Sequence, residues 1–291
     1  MAFKTFAVAG AGNIGVFLAE ELLKQKAAGN AEEVLVLGRL GSNNGALAKL
    51  AKDGAKVVLV DFANTAKVAA ALEGIDVVLS AITFSAIAEA QVPLAEAAKQ
   101  AGVKLFLPSE YGEKTDTLEG GILLPKKLFQ DKLRALGLPF ALVYNGPFPD
   151  FVLTPFIGVD FEHGKAAAGG DGSNPVSWTA RRDVGAYVAY VLTHLPAERL
   201  NWRIFRIEGD RQSFNEVFAA YEARTGKKLQ ITYRSVEELE AALKVNPYDF
   251  GTVLQLGWAR GEGIVGEKGE LTNAEFPGWK PKKAIDAILG N

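Results

Sequence analysis

The chain has 291 residues, a formal net charge of −2 at pH 7 and no cysteine. Apolar residues make up 48% and charged residues 23%, the balance of an ordinary globular protein. This composition excludes disulfides, thiolate metal ligands and a cysteine nucleophile, and it gives no overall basic field to attract nucleic acid or an anionic membrane.

The length suits one large α/β domain, or a large domain with a smaller one attached. Near the N-terminus, Lys4 is followed by FAVAGAGNIGVFLA. Three glycines interrupt that run and no cleavage site follows, so it does not read as a signal peptide. The apolar region 75–98 is broken by Asp76, Glu89, Gln91, Pro93 and Glu96, short of the ~18 uninterrupted residues a membrane helix needs. The expectation is a cytoplasmic protein, monomer or homodimer, with no nucleic-acid or membrane partner.

In chain order, FAVAG (6–10) reads as a strand, and residues 13–28 carry Ile14, Leu18, Leu22 and Leu23 at helical spacing. Further strands are expected at EVLVLG (33–38), KVVLVD (56–61), VVLSAI (77–82), KLFLP (104–108) and PFALVYN (139–145). Helical patterns at 44–52, 65–73, 87–101 and 125–136 separate them. Strands apolar throughout, alternating with amphipathic helices, predict a doubly wound parallel α/β sheet of the Rossmann type covered on both faces. Ligands of such sheets bind at the carboxyl ends of the strands. After residue 146 the alternation weakens: GKAAAGGDGSNP (164–175) reads as loop, RIFRI (203–207) as strand, and helices are expected at 182–195, 213–225, 235–244 and 279–289. We therefore expect a dinucleotide-binding domain over 1–146 and a smaller substrate-side lobe over 147–291, with segments returning to the main sheet.

GAGNIG, Gly10 to Gly15, fits G-x-G-x-x-G and lies between a strand and a helix. Gly10 allows the tight turn, Gly12 lets a pyrophosphate approach the backbone, and Gly15 lets helix and strand pack closely. The N–H groups around Asn13 and Ile14 and the helix dipole favour an anion. An NAD site usually has an acid at the end of the second strand, bonded to the ribose 2′-OH. Here that strand ends in Gly38 and Arg39. An arginine there pairs with a 2′-phosphate, so the expected cofactor is NADP(H). The alternative is that Arg39 is a solvated surface residue. Ser42, Asn43 and Asn44 are further phosphate candidates.

None of the seven tyrosines has a lysine four residues later, so the Y-x-x-x-K signature is missing. HExxH and G-x-S-x-G are missing too, and His163 and His194 stand isolated. LPSEYG (107–112) and the helix PKKLFQDKLRALG (125–137) stand out at strand ends. LPSEYG resembles the PSEFG element of the isoflavone-reductase-like and NmrA-like proteins, atypical short-chain dehydrogenases. The glycine turn, VVLSAI, GLPFALVYNGPF, RRDVGAYVAYVL and SFNEVFAAYEARTGKKL carry the likeness over nearly the whole chain. The glycine turn departs from the G-x-T-G-x-x-G form of many members.

The resemblance implies that a lysine eleven residues before the GLP glycine acts in catalysis, which is Lys126. Lys127 is its rival. Taking Leu128, Phe129, Leu133 and Leu136 as the apolar face, Lys126 falls roughly 80° from its centre and Lys127 roughly 180°. Lys126 can thus edge a cleft, and an ordinary surface lysine is the other reading. The family places cofactor contacts at Ser80 and Ala81. Glu110 either orients a lysine or the ribose, or caps a turn. Phe148, Phe151 and Phe156 line a pocket for a small aromatic substrate, or pack as core. The resemblance leaves two functions open: an NADPH-dependent reductase of small aromatic or phenylpropanoid-like substrates, hydride going to an activated C=C, carbonyl or benzylic carbon, and a non-catalytic NADP(H) redox sensor acting through a protein partner.

Overall fold

The computed structural model describes residues 1–42 and 45–290. Asn43 and Asn44 lie outside the described residues. Five parallel strands form the central sheet in the order β3-β2-β1-β4-β5: β1 (Thr5–Ala9), β2 (Glu33–Arg39), β3 (Lys56–Val60), β4 (Val77–Ser80) and β5 (Leu105–Leu107). The sheet continues through a Phe106–Phe140 bridge to β6 (Ala141–Tyr144).

Alternation along the apolar strands sends side chains to two cores. Phe6, Val8, Val34, Val36, Val77 and Leu79 pack on one face, while Ala7, Ala9, Leu35, Leu37 and Val78 pack on the other. The first face is covered by α1 (Gly15–Ala27) and α2 (Gly45–Lys52), the second by α3 (Thr65–Ala71), α4 (Val92–Gln100) and α5 (Leu124–Ala135). Both faces are therefore dry, as continuous apolar strands require.

Later in the chain come α6 (Pro149–Val152), β7 (Lys165–Gly169), β8 (Pro175–Trp178), α7 (Arg181–His194) and β9 (Arg203–Arg206). These are followed by β10 (Asp210–Ser213), α8 (Phe214–Thr225), β11 (Gln230–Arg234), α9 (Val236–Val245), α10 (Phe250–Ala259) and α11 (Ala284–Ile288). α7 lays Val184, Tyr187, Val188 and Leu192 on the first core, and β9 pairs in parallel with β6. A third core joins Trp178, Phe214, Phe218 and Trp258.

The segment read as loop from Gly164 to Pro175 holds a strand. β7 runs KAAAG and pairs in parallel with β11. Alanines carry little strand propensity, so pairing and packing decide this element. A Cβ on Gly169 would strike the Gln255 carbonyl of α10. The helix expected at 279–289 shortens to α11: Pro281 disfavours helical backbone at Lys280, and Lys283 is extended at the N-cap.

At the switch point of the strand order, β1 lies between β2 and β4. There Gly10 has φ +100° and its N–H donates to the Leu37 carbonyl at 2.9 Å. The Ala81 N–H donates to the Ala9 carbonyl at 2.8 Å. A Cβ on Gly15 would collide with the Gly10 carbonyl oxygen and stand 2.9 Å from the Ala81 Cβ, whereas one on Gly12 would meet nothing within 4 Å. Gly15→Ala is expected to destabilise the fold by about 2–3 kcal/mol. Gly12→Ala is expected to stay within about 0.5 kcal/mol of the parent. Urea unfolding measures both, and equal losses would contradict this packing.

Candidate active site

The ends of β1, β4, β5 and β6 open on one cleft of about 810 Å³. Gly12, Asn13, Ile14, Ala81, Lys126, Phe148 and Phe151 all line it. Gly10 and Gly15 hold the turn from behind through the close approach just described. Of the strand-end pair, Ala81 lines the cleft, whereas Ser80 is fully buried and its hydroxyl has no hydrogen-bond partner among the described residues.

Gly12 and Asn13 are exposed, and α1 carries no acid in its first turn. A first helical turn leaves backbone N–H groups without intrahelical acceptors, which suits an anion. Beside this turn Arg181 pairs with Asp150. Its Nε donates to Asp150 Oδ2 at 3.0 Å, and its Nη1 reaches the Asn13 carbonyl at 3.5 Å. The same guanidinium stacks 5.1 Å above the Phe151 ring. Arg181 thus straps the glycine turn to the aromatic wall.

Arg39 is exposed at the end of β2, two residues beyond Leu37, the partner of the glycine turn. Gly38 before it is buried so closely against Leu59 and Leu47 that a Cβ would press on both. The strand therefore ends beside the turn with a cation and no acid.

Lys126 is set more deeply than its sequence suggests. The buried residues of α5 are Phe129, Gln130 and Leu133, and Leu128 is 57% exposed. Counting Leu128 as apolar misplaces the face. Around the observed stripe, Lys126 falls about 15° from the centre and Lys127 beyond about 100°. Lys126 Nζ donates to the Glu110 carbonyl at 2.6 Å, while Lys127 pairs with Asp131 at 2.6 Å on the surface. Burial lowers the Lys126 ammonium below the ordinary lysine range, against the opposing pull of the Glu110 and Glu113 carboxyls.

Of the two readings of Glu110, the structure favours orientation of the lysine, through its main chain. Its carboxyl accepts from Thr115 Oγ1 at 2.6 Å and Gln130 Nε2 at 2.9 Å, and Oε2 lies 3.9 Å from Lys126 Nζ. Upstream, a π-helical turn over Ile87–Gln91 aims Gln91 Oε1 at the Ser109 N–H, 2.8 Å away. The loop that carries Glu110 is thereby fixed from both sides.

Phe148 packs partly against the first core, and Phe151 and Phe156 remain 44% and 55% exposed. The sequence reading missed Phe84, Phe250 and Glu113. Phe84 and Phe250 stack with centroids 6.3 Å apart, and Phe156 lies 6.3 Å from Phe250. Phe250 opens α10, a helix no periodicity announced. Glu113 directly follows the LPSEYG element and lines the cleft. His163 pairs with Asp160 and His194 stacks on Tyr190, and neither lines the cleft.

The parallel sheet, its strand order and a cleft at the strands' carboxyl ends define a Rossmann-type α/β protein. A family model described as the NmrA-like family matches residues 3–269, and the chain belongs to that family. It is similar to the oxidoreductase aprR of Aspergillus flavus, with 33% identity over 187 residues, covering 61% of this chain and 62% of that protein. Similarity to the isoflavone reductase homolog IRL of Zea mays is 29% over 241 residues, covering 78% of this chain and 73% of the relative. The binary complex of leucoanthocyanidin reductase and NADPH from Vitis vinifera superposes with a TM-score of 0.83 at 21% identity, covering 98% of both chains.

The burial of Lys126 has a measurable consequence. After reductive methylation with labelled formaldehyde, the Lys126 amine is expected to titrate below the ordinary lysine range in an NMR pH series. A Lys126 titration inside that range would contradict the placement.

Proposed function

We propose that this protein is an NADPH-dependent reductase of small aromatic substrates, of the isoflavone-reductase-like kind. The single observation that carries the reading is Lys126, a part-buried lysine pinned in the cleft that also contains the open glycine turn. The named relatives are oxidoreductases or isoflavone reductase homologs, and the superposed reductase binds NADPH.

The residues fit the cofactor. The exposed backbone at Gly12 and Asn13 would take the pyrophosphate, and Arg39 would take the 2′-phosphate. The reduced nicotinamide, when bound, supplies the hydride to an activated C=C, carbonyl or benzylic carbon. The chain supplies position and charge. Lys126 would offer its N–H to the oxygen on which charge develops and pass it a proton, a transfer made easier by an amine whose pKa is shifted toward neutrality. Glu110 and Gln91 hold that amine in place. Phe84, Phe148, Phe151, Phe156 and Phe250 would sandwich a flat ring and keep water from the reacting carbon.

Lys126→Ala is expected to lower kcat by about 10²–10⁴-fold. NADPH affinity should stay within about threefold of the parent, since the lost contact belongs to the reaction. Unchanged turnover of an aromatic ketone and quinone panel would contradict this role. Arg39→Ala is expected to weaken NADPH about tenfold or more, from loss of a charge-assisted contact, and NADH by less than about twofold. Calorimetry with both nucleotides checks this, and equal losses would remove Arg39 from 2′-phosphate recognition.

A further inference from the structure

Phe151 lines the cleft, yet apolar packing does not place its ring. It is 44% exposed and belongs to none of the three cores. It sits on α6, a single turn of four residues that Val152 anchors to the third core. A ring so exposed on one helical turn is free to change rotamer unless something covers a face of it. Arg181 does so. Its guanidinium carbon lies 5.1 Å from the centre of the Phe151 ring and 5.1 Å from that of Phe17 in α1. The guanidinium is itself held. Besides the Nε bond to Asp150 Oδ2, Nη2 donates to the Asp150 carbonyl at 3.1 Å, and the Arg181 main-chain N–H donates to Oδ1 at 3.2 Å. Arg182 beside it is taken up by Glu20 and Glu21.

We propose that Arg181 is a positioning residue for the substrate: clamped by Asp150, it holds the Phe151 ring in the orientation in which an aromatic ring of the substrate stacks on it. This rests on the reductase reading above and adds to it the device that readies the wall for a ring. A planar guanidinium suits the task, since it forks to a carboxylate at its edge and covers a π-face with its plane. It does so while leaving Phe151 open enough to meet a ligand. A side chain that is already ordered has no freedom to lose when the ligand arrives, and each such side chain is worth about threefold to tenfold in affinity. The Asn13 contact adds a reference point. Nη1 reaches that carbonyl at 3.5 Å, so the ring is held relative to the glycine turn. Arg181 does not itself line the cleft, so its effect falls on ring binding and not on the reacting atoms.

The test uses the full-length protein saturated with NADP⁺, which cannot deliver hydride, and measures ligand affinity by calorimetry. The probes are acetophenone and benzylideneacetone, each set beside its cyclohexyl counterpart. Arg181→Met keeps the apolar stem and removes the charged plane. It is expected to bind the aryl probes about threefold to tenfold more weakly and their cyclohexyl counterparts less than about twofold more weakly. With NADPH, the loss should appear in KM for an aryl probe and leave kcat within about twofold of the parent. Phe151→Leu is expected to show the same aryl-specific loss, and adding Arg181→Met to it should cost nothing further, because the two residues act as one unit. Arg181→Lys keeps a cation for Asp150 but no plane for the ring, so it should lose aryl affinity as the methionine variant does, and it serves where that variant fails to fold. Urea unfolding checks the fold of each. If the Arg181 variants bind both probe sets as the parent does, weaken both sets equally, or add their loss to that of Phe151→Leu, the proposal is overturned and the reductase reading stands. If the parent neither binds an aryl probe nor reduces one with NADPH, both fall together.

Discussion

The structure depends on how closely the first helix approaches the first strand. Gly15 sits where any side chain would run into the Gly10 carbonyl, and Gly10 itself adopts a backbone conformation open chiefly to glycine. That contact draws the start of α1 down onto the ends of β1 and β4. It also fixes the floor of the cleft, because Ala81 lies against the same spot. Gly12, with nothing over it, is left as the point where a ligand can come nearest the main chain. Tightness at two glycines thus creates openness at the third.

The second fixed point is the loop after β5. Its buried glutamate does two things with two parts of itself. The carboxyl of Glu110 is absorbed by Thr115 and Gln130 inside the protein, and its carbonyl directs Lys126 into the cleft. A buried carboxyl near a buried amine steadies the amine's charge, while burial works against it. The lysine is therefore held between two opposing influences, in a position set by main chain rather than by a mobile side chain. Opposite it, rings from segments far apart in sequence close the aromatic wall, and Arg181 links that wall to the glycine turn.

Much of this was legible in the residues. Apolar runs such as VLVLG (34–38) and helical spacing at Leu18, Leu22 and Leu23 declare a parallel sheet covered on both sides, because strands buried on two faces have no polar alternation to hide. The glycine turn declares itself by spacing. Lys126 was reached through a family resemblance, and its rotation on the helix was misjudged since Leu128 is apolar yet exposed and Gln130 is polar yet buried. Composition cannot show that Gln130 has a glutamate to satisfy. β7 escaped because an alanine run has no strand signature. Glu113 and Trp258 meet across 145 residues, and Phe84 meets Phe250 across a similar gulf, so no local pattern could pair them.

The central claim is that one cleft holds NADPH at the glycine turn and an aromatic substrate under Lys126. Deuteride transfer tests it most directly. The protein would be incubated with NADPH deuterated at the hydride-donating carbon and a panel of aromatic ketones, enones and quinones, and the products weighed by mass spectrometry. The account predicts deuterium at the reduced carbon of at least one aromatic product, with NADPH a better donor than NADH. Tight NADPH binding without transfer to any member of a broad panel would contradict it.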